Sequence, residues 1–332
     1  MHRLTPTRLD EILDRFRGLR IAVVGDVMLD VYLVGAVSRI SPEAPVPVVR
    51  VEDERVALGG AANVAANVVA AGAACDLVGC VGADAAGARI REALAGLDGV
   101  RDRLLERVER PTTTKTRVVA RHQQVVRFDR ERDDEVEEGC ARELAAALRE
   151  AVAGADALVL EDYGKGVLAP AVIAAAVHAA DEARIPCVVD PKFRNFFAYR
   201  GATVFKPNAV ELGAALGEPL RAEDDAWLEA ARARVGAHHL LLTLGEQGMA
   251  LKSQGAPALR IPTHARAVHD VSGAGDTVIA FVALAAAAGA TIEEAALLAN
   301  LAAGIEVAKP GVAVVTPDEL RAHLRDGVPA VG

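Results

Sequence analysis

Aromatic residues and cysteines are scarce in this chain, and each shortage narrows the class of protein. Aromatic residues make up 3% of the 332 residues and hydrophobic residues 52%, so alanine, valine and leucine must fill the core. The length allows one large α/β domain or two small ones. The cysteines contain no C-x-x-C pair, which favours buried thiols over disulfides or metal ligands; they are Cys75, Cys80, Cys140 and Cys187.

An excess of positive charge is also lacking. The 37 lysines and arginines are outnumbered by 46 aspartates and glutamates, and the net charge of −9 argues against general nucleic-acid binding. Residues 1–20 lack the apolar core of a signal peptide, and apolar runs such as residues 278–288 are too short to span a membrane. We therefore expect a cytoplasmic protein with neither nucleic acid nor a membrane as partner.

Short apolar runs alternate with helical patterns along the chain. Strands are predicted at 21–24, 157–160, 186–189, 203–205 and 240–244, and helices at 141–153, 170–183 and 227–235. This order implies right-handed β–α–β units, and so a mainly parallel sheet with helices on both faces. The strand-like segments 46–56 and 113–128 interrupt it, and we expect them to pair into a small antiparallel sheet that covers the site or mediates a homodimer.

The segment from Asp270 to Thr277 opens directly onto an apolar helical run. Its glycines, Gly273 and Gly275, allow a tight turn that leaves backbone N–H groups open to an oxyanion, and the helix N-terminus adds partial positive charge. Asp276 at this place is either a helix cap, which is the commoner role, or a base. The paired glycines favour a phosphate site with a carboxylate beside it.

Polar residues also follow several of the predicted strands. Because ligands bind outside the carboxyl ends of the strands in an open parallel sheet, these residues predict one cleft that holds both carboxylates and cations. They include Asp26, Asp30, Asp162, Lys165, Lys192, Asn208, Glu211, Thr243, Gly245 and Gly248.

Three cations with the same parity in a probable strand, Lys115, Arg117 and Arg121, should project from one face. Together with Lys165 and Lys192 after strands that end at the cleft, they favour an anionic acceptor. The alternative is a solvated lid face, with Lys192 serving only the ATP phosphates.

The octet 270–277 resembles the second signature of the ribokinase-like (PfkB) carbohydrate kinases, usually D-T-x-G-A-G-D, with Val271 in place of the Thr. The resemblance implies that Asp276 is the catalytic base and that the backbone of Gly273, Ala274 and Gly275 stabilises the transferred phosphoryl group. It also implies a three-layer α/β/α fold over residues 1–332, with a mainly parallel sheet and a small β lid inserted at about 37–57 and 111–128.

Further motifs extend the resemblance over nearly the whole chain. The G-G-x-x-N signature is matched by Gly59, Gly60 and Asn63, which would bind the sugar. The alternative for these three residues is a glycine turn into a helix. The other residues that would bind the sugar follow predicted strands: Asp26, Asp30, Asp162, Lys165 and Lys192. The ATP-side motifs are matched by Asn208, Glu211, Thr243, Gly245, Gly248, Asn300 and Gly304.

Two metal roles follow from the same resemblance. Glu211 would help to hold Mg²⁺ through a water molecule, because Mg²⁺ takes few protein oxygens. Asn208 can also cap the helix that follows it. Asp270 is a candidate ligand for a monovalent cation such as K⁺, near the turn at 309–311.

Segments 25–30 and 39–48, supported by 161–166 and 190–192, are similar to the subgroup that acts on D-glycero-β-D-manno-heptose 7-phosphate. This resemblance implies ATP-dependent phosphorylation of the anomeric hydroxyl to the 1,7-bisphosphate, in ADP-heptose and lipopolysaccharide-core precursor synthesis. Many members are fused to a nucleotidylyltransferase with an H-x-G-H motif; these 332 residues contain none, so we expect that activity on another polypeptide. The alternatives are a kinase for another sugar or sugar phosphate, or a non-catalytic sensor, in which a placed base would have no use.

Overall fold

The computed structural model describes residues 4–120, 123–265 and 268–325. The strands are β1 (Arg20–Gly25), β2 (Val27–Ile40), β3 (Pro47–Gly60), β4 (Ala74–Gly82), β5 (Val100–Arg107), β6 (Thr113–Ala120), β7 (Gln123–Arg130), β8 (Ala157–Glu161), β9 (Cys187–Asp190), β10 (Val204–Phe205), β11 (His239–Thr243), β12 (Met249–Ser253) and β13 (Leu259–Ile261). The helices are α1 (Pro6–Arg15), α2 (Ala61–Ala70), α3 (Ala85–Ala95), α4 (Glu138–Val152), α5 (Pro170–Ala183), α6 (Ala209–Leu216), α7 (Asp225–Val235), α8 (Ala274–Ala287), α9 (Ile292–Glu306) and α10 (Pro317–Arg325).

The larger sheet of the described residues has nine strands in the order β13-β12-β11-β10-β9-β8-β1-β4-β5. All neighbours pair in parallel except β11 with β12 and β12 with β13, which are antiparallel. Parallel strands bring their carboxyl ends to one edge, so β1, β8, β9 and β10 deliver their following residues to a common cleft.

Two apolar cores lie on opposite faces of this sheet, because successive side chains of a strand alternate. In β1, Ile21 and Val23 pack with α1, α2, α8 and α9, whereas Ala22 and Val24 pack with α4, α5 and α7. Helix α8 is buried along most of its length, and its apolar sequence explains this central position. The predicted three-layer α/β/α architecture with a mainly parallel sheet is thereby confirmed.

A second sheet is built from β3, β2, β6 and β7 in that order. Strand β2 pairs antiparallel with β3 and in parallel with β6, and β6 pairs antiparallel with β7. The expected direct pairing of segment 46–56 with segment 113–128 is therefore wrong, since β2 lies between them. No strand was predicted for residues 27–36, where Asp30, Tyr32 and Gly35 interrupt the apolar pattern.

The register gives this second sheet two different faces. Asp30 and Lys115 are paired across β2 and β6, as are Tyr32 and Arg117, so these four residues share one face, here called the cleft face. On the opposite face Val56, Val31, Thr116 and Phe128 form one row across all four strands. Within the described ranges, no helix has the length and apolarity needed to cross a membrane.

The cysteines are free and buried, as predicted: Cys75, Cys80, Cys140 and Cys187.

Candidate active site

Asp276 lies in the first turn of α8 and is 2% exposed. Its Oδ2 accepts a hydrogen bond from Asn63 Nδ2 at 2.7 Å, and its Oδ1 accepts one from the Tyr163 hydroxyl at 2.7 Å. Burial raises the pKa of Asp276, and these two hydrogen bonds act in the opposite direction. The carboxylate is thus held in one orientation by donors from two different elements.

The turn before α8 has the geometry that an anion site requires. Gly273 is in the left-handed conformation with φ of 94°, and a Cβ there would lie 2.9 Å from Asn63 Nδ2. The first N–H groups of a helix have no partner within the helix, so the backbone N–H of Gly275 can serve an anion beside Asp276. The N–H of Ala274 makes a long bond of 3.4 Å to the Val271 carbonyl, which a stronger acceptor would displace. Glycine is therefore required at Gly273 on grounds of both conformation and space.

A buried lysine lies beneath this turn. Lys206 Nζ is 3.6 Å from the position of a Cβ on Gly275, and it forms an ion pair with Asp190 Oδ2 at 2.6 Å. Glu161 is fully buried nearby, and its carboxylate oxygens find no hydrogen-bond partner in the described part of the chain. Burial and the Asp190 charge raise the pKa of Glu161 well above its ordinary value.

The two early aspartates have different positions. Asp30 forms an ion pair with Arg117 on the cleft face. Asp26 is 1% exposed, and its carboxylate accepts N–H bonds from Tyr163, Lys165 and Val167. The expected contact of Asp26 with the sugar is therefore not supported: its oxygens hold the loop after β8 in place.

Asp162 also differs from expectation. It is 5% exposed, and it accepts hydrogen bonds from Gly164 N and from the Tyr199 hydroxyl at 2.6 Å. Both of its oxygens accept hydrogen bonds from protein groups, so Asp162 stabilises the loop after β8 and does not line the site.

The G-G turn is shaped by close packing. A Cβ on Gly59 would lie 2.4 Å from Asp30 Oδ2, and one on Gly60 would lie 2.4 Å from the backbone oxygen of Asp26. Gly60 also has a positive φ of 57°. Asn63, one turn into α2, directs its amide at Asp276 and not at open solvent.

Most of the predicted cations are paired with carboxylates. Lys165 Nζ is 2.7 Å from Glu131, Lys192 Nζ is 2.5 Å from Glu211, and Arg117 pairs with Asp30. Lys115 instead lies over the ring of Tyr163, with its Nζ 4.7 Å from the ring centroid. Lys115 and Arg117 share the cleft face; Arg121 lies outside the described residues.

A large cleft of about 730 Å³ lies beside the N-terminus of α8. Most of the predicted nucleotide residues line it, together with Ala274 and Gly275: they are Asn208, Thr243, Gly245, Gly248, Asn300 and Gly304. Three exposed valines, Val210, Val268 and Val271, add apolar surface that the sequence analysis did not assign. The cleft therefore offers apolar surface for a flat apolar group together with a helix N-terminus for an anion.

Two residues shape this cleft through their contacts. The Asn300 amide donates to the Pro262 carbonyl at 2.7 Å. A Cβ on Gly304 would lie 3.0 Å from the backbone of His264, so α9 and segment 264–265 approach closely only because this residue is glycine.

Asn208 and Glu211 form a capping box at the start of α6. Asn208 Oδ1 accepts from Glu211 N, and Glu211 Oε2 accepts from Asn208 N, both at 2.9 Å. The capping role of Asn208 is thus present, and the remaining oxygen of Glu211 binds Lys192. Asp270 accepts a hydrogen bond from Ser272 N at 2.9 Å in the loop before Gly273.

Tyr163 and Lys206 are the main residues for which the sequence analysis gave no role. Both follow strands that end at the cleft, so their location was predictable. Their orientation toward Asp276 and Gly275 depends on contacts between distant parts of the chain, which no local pattern encodes.

Comparisons with known proteins agree with this geometry. The pfkB family carbohydrate kinase profile matches residues 19–319. The bifunctional protein HldE of Azorhizobium caulinodans is 49% identical over 92% of this chain, and that of Caulobacter vibrioides is 48% identical over 92%. The chain spans 64% of the length of each of these relatives.

Solved structures show the same fold. Ribokinase of Arabidopsis thaliana, complexed with ribose and ATP, superposes with a TM-score of 0.71 at 21% identity, over 93% of this chain and 99% of that one. Phosphofructokinase-2 of Escherichia coli, in complex with potassium, gives 0.77 at 21% identity, over 93% and 98%. A buried carboxylate at a helix N-terminus, beside a large cleft, is an arrangement that phosphoryl transfer can use. The chain belongs to the pfkB family of carbohydrate kinases and is a sugar kinase.

Proposed function

We propose that this kinase transfers a phosphoryl group from ATP to the anomeric hydroxyl of D-glycero-β-D-manno-heptose 7-phosphate. The product is the 1,7-bisphosphate, a precursor of ADP-heptose and of the lipopolysaccharide core. The observation that carries the proposal is the Asp276 carboxylate, fixed by Asn63 and Tyr163 at the N-terminus of α8. The HldE relatives, at 48–49% identity, support the heptose subgroup.

The residues present fit ATP. The cleft of about 730 Å³ offers apolar surface from Val210, Val268 and Val271 for the base, and it ends at the backbone of Ala274 and Gly275, where phosphates would meet the helix N-terminus. Thr243 and Asn208 contribute polar groups along its length.

Magnesium fits only through water. Both oxygens of Glu211 are engaged, by Lys192 and by Asn208 N, and the described residues contain no group of three or more His, Cys, Asp or Glu side chains arranged to hold a metal. Mg²⁺ commonly keeps several waters, so Glu211 would hold it through one of those waters. When bound with the nucleotide, it supplies positive charge to the phosphate oxygens.

Different groups accept the proton of the acceptor hydroxyl and stabilise the charge on the transferred phosphoryl group. Asp276 accepts the proton of the acceptor hydroxyl, while the N–H groups of Ala274 and Gly275 stabilise the oxygens of the transferred phosphoryl group. Lys206, directly below Gly275, adds a fixed positive charge on the same side.

Asp276→Asn tests this division of labour. The amide preserves shape, and its oxygen can still accept from Asn63 while its NH₂ faces Tyr163, whose hydroxyl can rotate to accept. Turnover should fall by about two to four orders of magnitude because general-base catalysis is lost. ATP affinity, measured by calorimetry, should persist; a parallel loss of affinity would make Asp276 a structural cap.

A panel of sugars and sugar phosphates tests the acceptor. The proposal expects the heptose 7-phosphate to give the highest kcat/KM, and transfer to another sugar with higher kcat/KM would favour the broader alternative. Phosphofructokinase-2 of Escherichia coli was solved with fructose-6-phosphate, which supports a phosphorylated acceptor on this fold. Bound ligands without any turnover would favour a sensor.

Two edge residues of the second sheet support a homodimer. Phe128 is 55% exposed and Val56 40%, on the face opposite the cleft face, whereas Val31 and Thr116 between them are buried. Apolar side chains on an open sheet surface favour association with a second copy. Light scattering should show a dimer that Phe128→Asp converts to monomer; a monomeric wild-type protein at all concentrations would exclude it.

A monovalent cation is proposed near Asp270. Its carboxylate lies in the loop that precedes Gly273, so a bound cation would support the anion-binding turn. Potassium should raise turnover in the wild-type protein and have less effect on Asp270→Asn; equal stimulation of both proteins would reject Asp270 as a ligand.

A further inference from the structure

We infer that Tyr163 is a positioning residue that links the base to the lid: its hydroxyl orients Asp276, and its ring receives Lys115 from the cleft face. This inference rests on the proposed role of Asp276 as base. It assigns Tyr163 a task that neither its sequence context nor the family resemblance gave it.

The hydroxyl contact has a defined direction. Burial raises the pKa of the Tyr163 phenol well above its ordinary value, so the hydroxyl keeps its proton and must donate to Asp276. Tyr163 donates to Oδ1 and Asn63 donates to Oδ2, both at 2.7 Å. Each carboxylate oxygen retains acceptor capacity, so an acceptor hydroxyl can still donate to Asp276.

The backbone of Tyr163 and of the loop around it is also fixed by hydrogen bonds. The N–H groups of Tyr163, Lys165 and Val167 all donate to Asp26, at 2.9–3.1 Å, from the loop that follows β8. Asp26 lies directly after β1, so the loop is anchored to the centre of the larger sheet. This rigid attachment explains why a buried carboxylate with no access to substrate stands at that position.

The ring of Tyr163 contacts two cations from different sides of the cleft. Lys115 Nζ, on β6 of the second sheet, is 4.7 Å from the ring centroid, and Lys192 Nζ, after β9, is 5.7 Å from it. Lys192 also binds Glu211 on the nucleotide side. Burial lowers the pKa of Lys115, and a desolvated cation gains more from an aromatic face than an exposed one.

The charges around Asp276 show why its hydrogen bonds matter. The titratable groups that face it from the surrounding elements are Lys115, Lys206, Asp30, Glu161, Asp190 and Glu306. The carboxyl groups outnumber the cations, so the ionised form of Asp276 depends on its neutral donors. The Tyr163 hydrogen bond lowers the pKa of Asp276, so losing this hydroxyl should raise that pKa.

Tyr163→Phe tests this directly, because it removes the hydroxyl and keeps the ring. Catalysis needs ionised Asp276, so kcat is lost as pH falls through its pKa, and a higher pKa moves that acid limb upward. We expect a shift of about one unit or more, with kcat recovering toward the wild-type value at alkaline pH. A purely structural role would lower kcat by the same factor at every pH.

Tyr199→Phe is the matched control. The Tyr199 hydroxyl is also buried and also donates to a carboxylate, Asp162 at 2.6 Å, but not to Asp276. It should lower the Tm without moving the acid limb of the pH profile. Tyr163→Leu removes the ring as well, and it should raise KM for the sugar phosphate beyond the value for Tyr163→Phe.

Three outcomes decide the inference. If the wild-type protein turns over and Tyr163→Phe leaves the acid limb of the kcat profile at the same pH, the inference is overturned. If Tyr163→Phe does not unfold cooperatively, 3-fluorotyrosine at position 163 replaces it: the more acidic hydroxyl is a stronger donor and should move the acid limb downward, and no movement overturns the inference. A wild-type protein without activity on any sugar phosphate would overturn the proposed function instead.

Discussion

Replacement of Lys115 by methionine tests the proposal that this kinase recognises an anionic acceptor. Ion pairs among the described residues engage Arg117, Lys165, Lys192 and Lys206, but none of them includes Lys115. Lys115 lies on the cleft face, in register with Asp30. Its charge is therefore available to a phosphorylated sugar, whereas the others must first exchange a carboxylate partner.

The expected magnitude follows from one charge-assisted contact. Such a hydrogen bond contributes about 1.5–3 kcal/mol, so Lys115→Met should raise KM for the sugar phosphate by about 10- to 150-fold. KM for ATP should stay near its wild-type value. Methionine keeps most of the apolar stem, so packing over the Tyr163 ring is largely retained. A coupled assay of ADP release, with each substrate varied in turn, gives both constants.

Arg50→Met is the control for this experiment, because Arg50 is an exposed cation of the same sheet that pairs with Glu52. Equal increases in both KM values, or an unchanged KM for the sugar phosphate, would refute the reasoning. So would equal KM values for phosphorylated and unphosphorylated heptose in the wild-type enzyme. Arg117→Ala is a poorer test: it leaves Asp30 buried without its partner, which typically costs about 3–5 kcal/mol.

Three further predictions concern metal use, packing and pH. Glu211→Gln should increase the Mg²⁺ concentration needed for half-maximal turnover, and a normal Mg²⁺ titration would argue against this role. Gly59→Ala should lower stability by about 1–3 kcal/mol in urea unfolding, because a Cβ would lie 2.4 Å from Asp30; Gly154→Ala, where nothing lies within 4 Å, is its control. Because burial raises the pKa of Asp276, the acid limb of wild-type kcat should lie above about pH 4, and a midpoint at or below that value contradicts the assignment.

The strands of the larger sheet could be predicted where burial on both faces makes them apolar along their length. Strands β1, β8 and β9 are continuous apolar runs, and α5 begins and ends at the predicted residues, Pro170–Ala183, because proline favours a first helical turn. The cleft could be located for the same reason, since its position follows from parallel strands. What lay beyond prediction was the second sheet, whose strand β2 has one face toward polar residues and a pattern broken at Gly35, where the register shifts.

The sequence could indicate which residues lie near the candidate site, but not which atoms they contact. A sequence shows that Asp26, Asp162 and Asn63 follow strands or begin helices, and such residues could equally face a ligand or a neighbour. The structure shows that Asp26 and Asp162 hold a loop and that Asn63 holds Asp276. Asp26 meets Tyr163 across 137 residues of sequence, and Asn63 meets Asp276 across 213, so local propensity carries no information about these contacts. Asp162 is held partly within its own loop and partly by Tyr199, 37 residues away.

The pairing of cations with carboxylates explains how a chain of net charge −9 could bind two anionic ligands. A lysine such as Lys206 is fixed by Asp190 with its Nζ below Gly275, so its position is set before any phosphate arrives. Fixed charges stabilise a developing negative charge without the cost of reorganisation, which is larger for a mobile side chain in water. Burial and then neighbouring carboxylates raise the pKa of Glu161, Asp190 and Asp276, so a base at Asp276 would be kept ionised by neutral donors. The acidic surroundings and the hydroxyl of Tyr163 are therefore two parts of one arrangement: the first fixes the cations, and the second stabilises the Asp276 carboxylate, which we propose as the proton acceptor.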